Sequence, residues 1–186
     1  MATNISKRRF TVHEYHRMVD AGILHEDDRV ELIRGEILEM SPIGPRHNAA
    51  ILRANESLSR IFQARALVGV QGSIRLDEWD EPQPDLYLLR PKQDYYASGL
   101  AKPSDVFLII EVADSSLDYD RTVKADLYAI TKIPEYWIAD VNNDRVLAYS
   151  DIQDNVYRTM REFKRGQSLA PHLLPACPIP IHVLLP

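Results

Sequence analysis

A single cysteine, Cys177, excludes an internal disulfide and any zinc site built on cysteines. So thiol-poor a chain suits a reducing compartment. No stretch approaches the ~20 apolar residues of a membrane-spanning helix. Residues 1–10 are polar and basic and lack the apolar heart of a secretory signal. A cytoplasmic protein with no membrane partner is therefore expected. Positive charge is not in excess either: 22 Lys and Arg against 27 Asp and Glu leave a net charge of -5. That excludes coating nucleic acid through charge alone. It leaves room for an enzyme that meets phosphate through a metal. G-x-G-x-x-G and P-loop patterns are absent, so nucleotide-cofactor chemistry loses its main support. No G-x-S-x-G surrounds Ser115 or Ser116, which leaves a serine hydrolase without its usual elbow. His13, His16 and His25 offer no metal set, because no third ligand joins the first two.

What is present is a chain of 186 residues, 45% of them apolar. That suits one globular domain over 1–186. Thr11-Val12-His13-Glu14 reads as a capping box opening a helix to about Asp20, with Gly22 as its stop. VELIRGEILEM reads as a hairpin turning at Arg34-Gly35. Residues 41–46 form a Ser/Pro/Gly loop. A helix follows from about His47 to Gln63, with Ile51, Ala54, Leu58, Ile61 and Phe62 at helical spacing. Strands are expected over 66–76, 84–90 and 105–112, with a polar loop over 91–104. A helix from about Asp120 to Thr131 should turn Val123, Leu127 and Ile130 inward. EYWIADV, RVLAYS and NVYRTMREF are further strands, the first two joined at Asn142-Asn143-Asp144. Tyr136 and Trp137 suit the core. The Pro-rich tail should pack across the body. The order predicts a mixed α/β (α+β) core with a central mixed sheet, not a Rossmann alternation.

Two acids stand out. Glu111 ends the apolar run Phe107 to Ile110, and Asp85 opens the neighbouring strand. Alternation puts Asp85 with Tyr87 and Leu89, and Glu111 with Phe107 and Ile109. If the strands pair, both carboxylates converge at one sheet edge. There they repel, and either one takes a proton or a cation resolves the conflict. Mg²⁺ favours oxygen ligands and commonly takes one or two carboxylates plus water. Strand ends also reach solvent, so a hydrated acid is the plainer reading of either residue alone. Lys124 lies beside the inward stripe of the following helix, where its stem could reach the strand end. There it could orient a metal-bound water or meet charge on phosphate. The alternative is a solvated lysine.

ELIRGEILEMSPIGPRH, EPQPDLYLL, LIIEVADSS and DRTVKADLYAITKIPEYWIAD, in this order, resemble a large bacterial family of restriction-endonuclease-like proteins. That family was long catalogued as a domain of unknown function, and it is similar to the PD-(D/E)XK nuclease superfamily. The resemblance runs from about Thr11 into the tail. It implies a restriction-endonuclease-like core: a mixed sheet flanked by helices, with an N-terminal helix and hairpin. It implies that Asp85 and Glu111 ligate Mg²⁺ or Mn²⁺, with the Val112 carbonyl as a further ligand. The superfamily lysine two residues after the second acid is Ala113 here, and Lys124 fits as its migrated counterpart. Supporting roles are expected for Gln83, on the face of Asp85, for His47, on the sheet side of its helix, and for Glu31, as an upstream acid. Each also has a plain structural reading as a polar strand, helix-end or hairpin residue.

The expectation is therefore a Mg²⁺-dependent endonuclease acting on DNA, with Asp85, Glu111 and Lys124 as its catalytic set. Loops 41–46, 91–104 and 113–119 would carry any base preference. Arg121 and Lys132, with Arg46, Arg53 and Arg60, would supply local contacts to DNA. A homodimer would bring two sites to two strands. The rival from another class is a non-catalytic binding or assembly module that keeps the fold. The missing lysine after Glu111 and the acidic balance favour that rival.

Overall fold

The fold is that of a computed structural model, described for residues 6–25 and 27–186. Thr11 caps the first helix, α1 (Val12–Asp20), and Glu14 completes the capping box. β1 (Val30–Ile33) and β2 (Glu36–Glu39) pair antiparallel. Arg34 and Gly35 both have positive φ, as a two-residue hairpin turn of this kind requires. The long helix α2 spans Pro45–Phe62. It starts earlier than the expected His47, because Pro45 sits in its first turn. Proline is at home there, since that amide has no helical partner.

Six strands make the main sheet, in the order β3-β4-β5-β6-β7-β8. They are β3 (Leu67–Val70), β4 (Leu86–Leu89), β5 (Val106–Ala113), β6 (Tyr136–Asp140), β7 (Arg145–Gln153) and β8 (Val156–Lys164). Only β5 and β6 are parallel. Their crossover is helical: α3 (Leu117–Tyr119), a π turn (Asp120–Lys124) and α4 (Ala125–Ile130) follow without a break. The sheet is mixed and helix-flanked, as the sequence predicts. β9 (Ser168–Leu169) and β10 (Ile179–Pro180) pair in the tail. Among the described residues, no helix is long and apolar enough to cross a membrane.

The strand expected over 66–76 is cut short at Val70. Gln71 takes a positive φ of 49°, and its N–H donates to the Asp85 carbonyl at 3.1 Å. The Tyr87 ring crosses close to the backbone here. A Cβ on Gly69 would stand 2.0 Å from that ring, and one on Gly72 would stand 2.4 Å from its hydroxyl. Residues 73–76 then bond to the loop beyond them, as in Leu76 N–H to the Asp80 carbonyl at 2.9 Å. The second correction is Ile130, which is 51% exposed rather than inward. Tyr128 and Ala129 take the inward positions of that turn, and Ile133 fills the space beyond.

Each sheet face has its own core. On one, α2 lays Ala50, Ile51, Ala54, Leu58 and Phe62 against Leu86, Leu108, Ile110 and Trp137, and the tail closes over them. On the other, Tyr128 and Ile133 pack with Ile109, Tyr136, Ile138 and Leu147. Each large apolar side chain so buried contributes about 1.5–3 kcal/mol. Glu111 lies on this second face with Ile109, so the chain that carries it is held rigidly from both sides.

Candidate active site

Five segments meet at one end of β4 and β5. β1 brings Glu31, and the approach to β4 brings Gln83 and Asp85. β5 brings Glu111 and Val112, the π turn brings Asp120 and Lys124, and the first turn of α2 brings His47. All of these but Val112, which stands behind Asp85, line a pocket of about 560 Å³. The sequence-predicted residues therefore converge on one place.

Glu111 is 4% exposed and fully engaged. Its Oε1 accepts from Lys124 Nζ at 3.0 Å and from the Tyr128 hydroxyl at 2.9 Å. Its Oε2 accepts from the Asp85 N–H at 3.2 Å. Lys124 Nζ also stands 3.2 Å from Glu31 Oε2, which accepts from the Gln83 N–H at 3.2 Å. Asp85 is tied on both oxygens: Oδ2 accepts from the Val112 N–H at 2.9 Å, and Oδ1 lies 3.0 Å from His47 Nε2. Ladder alternation explains the first of these. Ile109 N–H and the Ala113 carbonyl bond toward β6, so Val112 turns its backbone toward Asp85. Its carbonyl points to the same flank as its N–H.

Asp120, Tyr119 and Tyr128 complete the site and escaped the sequence reading. Asp120 is 3% exposed, and its Oδ2 accepts from Ser116 Oγ at 2.6 Å. A spacing signal existed: Ser116, Asp120, Lys124 and Tyr128 recur every four residues, one stripe of a helix. Arg29 also lines the pocket, and its Nη1 donates to the Ser41 carbonyl at 3.0 Å. Nothing in the sequence pattern singled it out. Of the basic residues expected near the site, Lys132 lies elsewhere: it follows the end of α4 and donates to Asn155 at 2.7 Å. Arg53 is turned to the tail, donating to the Leu185 carbonyl at 3.0 Å, and Arg60 pairs with Glu56 on the helix surface. Arg46 bonds Val141 and Asn142 beside the pocket. Arg121 is exposed on the π turn.

The electrostatics follow from burying Glu111, Glu31 and Asp120 around one ammonium, with the half-buried Asp85 beside them. Burial pushes the Glu111 carboxyl up to about 8; Lys124 draws it down, but Asp85, Asp120 and Glu31 raise it again. Burial likewise raises Asp120 to about 6, against the Ser116 hydrogen bond and the Lys124 charge. Burial alone would lower Lys124, yet Glu111, Glu31 and Asp120 hold it above its ordinary value. Burial would also lower His47, and Asp85 outweighs it, with help from Asp114 and Asp120. These titrations belong to the cluster more than to single residues. The ammonium is its fixed point, with two carboxylate oxygens at 3.0 and 3.2 Å. Acids crowded in this way repel, and a cation placed among them would relieve that repulsion.

A pH prediction follows, with a definite sign. Glu111, Asp120 and His47 have folded values above their unfolded ones, so the folded state binds more protons across that window. Stability then falls as pH rises. In EDTA, the urea midpoint should drop between about pH 5 and about pH 8.5, and Glu111→Gln should flatten the drop. A wild-type midpoint that climbs across the same window would contradict the charge balance described above.

The donor set suits a hard divalent cation. The possible ligands around Asp85 and Glu111 are oxygens, with the His47 ring nitrogen the exception, while the Lys124 ammonium and the Gln71 amide N–H donate to the carboxylates and cannot ligate. Among the described residues, no three His, Cys, Asp or Glu side chains converge with ligand spacing. Two carboxylates and a carbonyl, with water and substrate completing the shell, match the habit of Mg²⁺.

Comparison with known proteins adds the following. A family model described as "Putative restriction endonuclease" (Uma2) matches residues 12–181. Among solved structures, one described as a putative nuclease of the DUF820 family, from Anabaena variabilis, superposes with a TM-score of 0.71 at 15% identity. The match covers 94% of this chain and 97% of that one, and at such identity it speaks to the fold. No match was found among curated proteins.

Proposed function

The chain belongs to the Uma2 family, and from that premise we propose that it is a divalent-metal-dependent DNA endonuclease. One observation carries the reading: Asp85 and Glu111 lie together at one end of the paired strands β4 and β5, with the Lys124 ammonium 3.0 Å from Glu111. Asp85, Glu111 and the Val112 carbonyl would hold Mg²⁺ or Mn²⁺. Such an ion, when bound, supplies a Lewis acid for phosphate and a water of lowered pKa. The chain's own residues do the rest. His47 fixes one oxygen of Asp85, leaving the carboxylate a single orientation. Gln83 fixes Glu31 through its backbone N–H. Glu31 in turn holds Lys124 between two acids, so the ammonium stays protonated and aimed at the pocket. From there it can steady the attacking water or the charge that develops on phosphate. Arg29, which lines the pocket, is a cation that can meet the DNA backbone, and the exposed Arg121 on the π turn is a second. A homodimer in the cytoplasm, cutting both strands, accords with this reading.

A second reading has its own support. All four carboxylate oxygens of Asp85 and Glu111 already have protein partners, as in a closed structural network. A binding module would use the network to hold its fold. Metal titration separates the two. Mg²⁺ or Mn²⁺ should raise the melting temperature of the wild-type protein, and Asp85→Ala should erase the rise. Supercoiled plasmid and single-stranded DNA, incubated with either ion against EDTA, provide the direct test. Cleavage that needs metal supports the nuclease. No cleavage and no thermal shift would pass the assignment to the binding module.

A further inference from the structure

Tyr119 carries a buried hydroxyl that the site, as folded, leaves without a hydrogen-bond partner. Among the described residues it is the one buried side-chain polar atom in that condition. Buried polar groups are normally paired, and leaving one unpaired costs free energy. Tyr119 lines the pocket one residue before Asp120. The charges of Glu31, Lys124, Asp120 and Glu111 all act on it. The contrast with Tyr128 is direct. Tyr128 faces the same Glu111 and donates to it at 2.9 Å. The Glu111 oxygens are taken by Lys124, Tyr128 and Asp85, and Asp120 Oδ2 by Ser116. No protein acceptor is bonded to the Tyr119 hydroxyl as folded, and a ligand seated in the pocket would supply one.

We propose that the Tyr119 hydroxyl is a substrate contact, donating a hydrogen bond to a non-bridging phosphate oxygen of the nucleic acid bound in this pocket. The proposal rests on the nuclease reading and deepens it. An acidic pocket that receives a phosphodiester needs donors not already spent. Lys124 is shared between Glu31 and Glu111, and the His47 ring is committed to Asp85. Tyr119 is uncommitted. Burial, then the charge of Glu31, push its phenol up to about 12, so it keeps its proton and serves as a donor.

Tyr119→Phe removes one oxygen and nothing else. A hydroxyl that served the fold would lower the melting temperature on removal. A hydroxyl waiting for a ligand should leave the melting temperature of the free protein unchanged or raise it. The expected result is that stability, together with a fall of about tenfold or more in kcat/KM on DNA. Two thermal-shift arms locate the acceptor. Mn²⁺ alone should stabilise the variant as much as wild type. A DNA duplex added with Ca²⁺, which keeps the complex uncleaved, should stabilise the variant less. A smaller shift with Mn²⁺ alone would move the acceptor to a metal-bound water and overturn the phosphate assignment. Unchanged cleavage, or a lower melting temperature in the free variant, would overturn it too. If wild type neither cleaves nor responds to the duplex, the nuclease reading falls and takes this inference with it. If wild type does both and Tyr119→Phe matches it, only this inference falls.

Discussion

Asp85→Asn should abolish metal-dependent cleavage, by on the order of a thousandfold, while leaving the fold close to its wild-type stability. The two halves of that result have separate causes. The amide keeps an oxygen for the Val112 N–H, which donates to Asp85 Oδ2 at 2.9 Å. The contact with His47, at 3.0 Å, weakens but stays within reach. Loss of the charge also relieves Glu111, since Asp85 is among the groups that raise its carboxyl. A stability change within about 1 kcal/mol is therefore expected, the size of one ordinary hydrogen bond. Cleavage has no such compensation, because a neutral amide is a poor ligand for a hard divalent cation. Plasmid nicking beside urea denaturation reads both quantities on one preparation. Cleavage by Asp85→Asn within tenfold of wild type would remove Asp85 from the metal site. A stability loss far larger than expected would recast Asp85 as a structural acid.

Most of the fold could be read from local patterns. The capping box at Thr11 and Glu14, the turn at Arg34 and Gly35, and the apolar run into Glu111 each carry their own physics. Pairing was the inferred step. Alternation could say that Asp85 and Glu111 share a face only if β4 and β5 lie side by side, and they do. The misses have one character. Val70 ends its strand because the Tyr87 ring crosses Gly69 and Gly72, a contact between residues far apart in sequence. Lys132 leaves the site because α4 ends at Ile130 and carries it away. Neither event leaves a periodic trace.

The site was half legible for a related reason. Acids that end apolar runs are visible, since an ionised group beside Ile110 and Leu86 needs an explanation. Acids inside a polar stretch are not. Asp120 lies in DSSLDYDR, where every neighbour but Leu117 and Tyr119 is hydrophilic, and only the four-residue stripe through Lys124 marks it. The π turn over Asp120–Lys124 adds a residue to the helix just there. Such turns often occur at functional sites, and propensity does not foretell them. Glu31 was named as an upstream acid, but its partner could not be. Its bond to Lys124 joins the N-terminal hairpin to the crossover helix. That makes the hairpin a wall of the site and more than an appendage of the core.

Lys124→Met should have the largest effect on stability of any substitution in the pocket, about 3–5 kcal/mol at pH 8. The side chain is 8% exposed and offsets two carboxylates at once. Methionine keeps the stem's packing but leaves Glu31 and Glu111 facing each other with no counter-charge. Removing one partner of a buried ion pair is far more costly than replacing both. Two features separate this from simple loss of packing. At about pH 5 the orphaned acids can take protons, so the deficit should shrink. At pH 8, Mg²⁺ or Mn²⁺ should recover part of it and stabilise the variant more than wild type, because the ion then supplies the missing positive charge. Adding Glu111→Gln should also recover part of the loss, making the double variant more stable than the sum of the singles. Urea midpoints at two pH values, with and without metal, measure all three. A deficit that ignores pH, metal and the second substitution would mean that Lys124 contributes only its hydrocarbon stem. The migrated-lysine role would then have to be given up along with the ion pair.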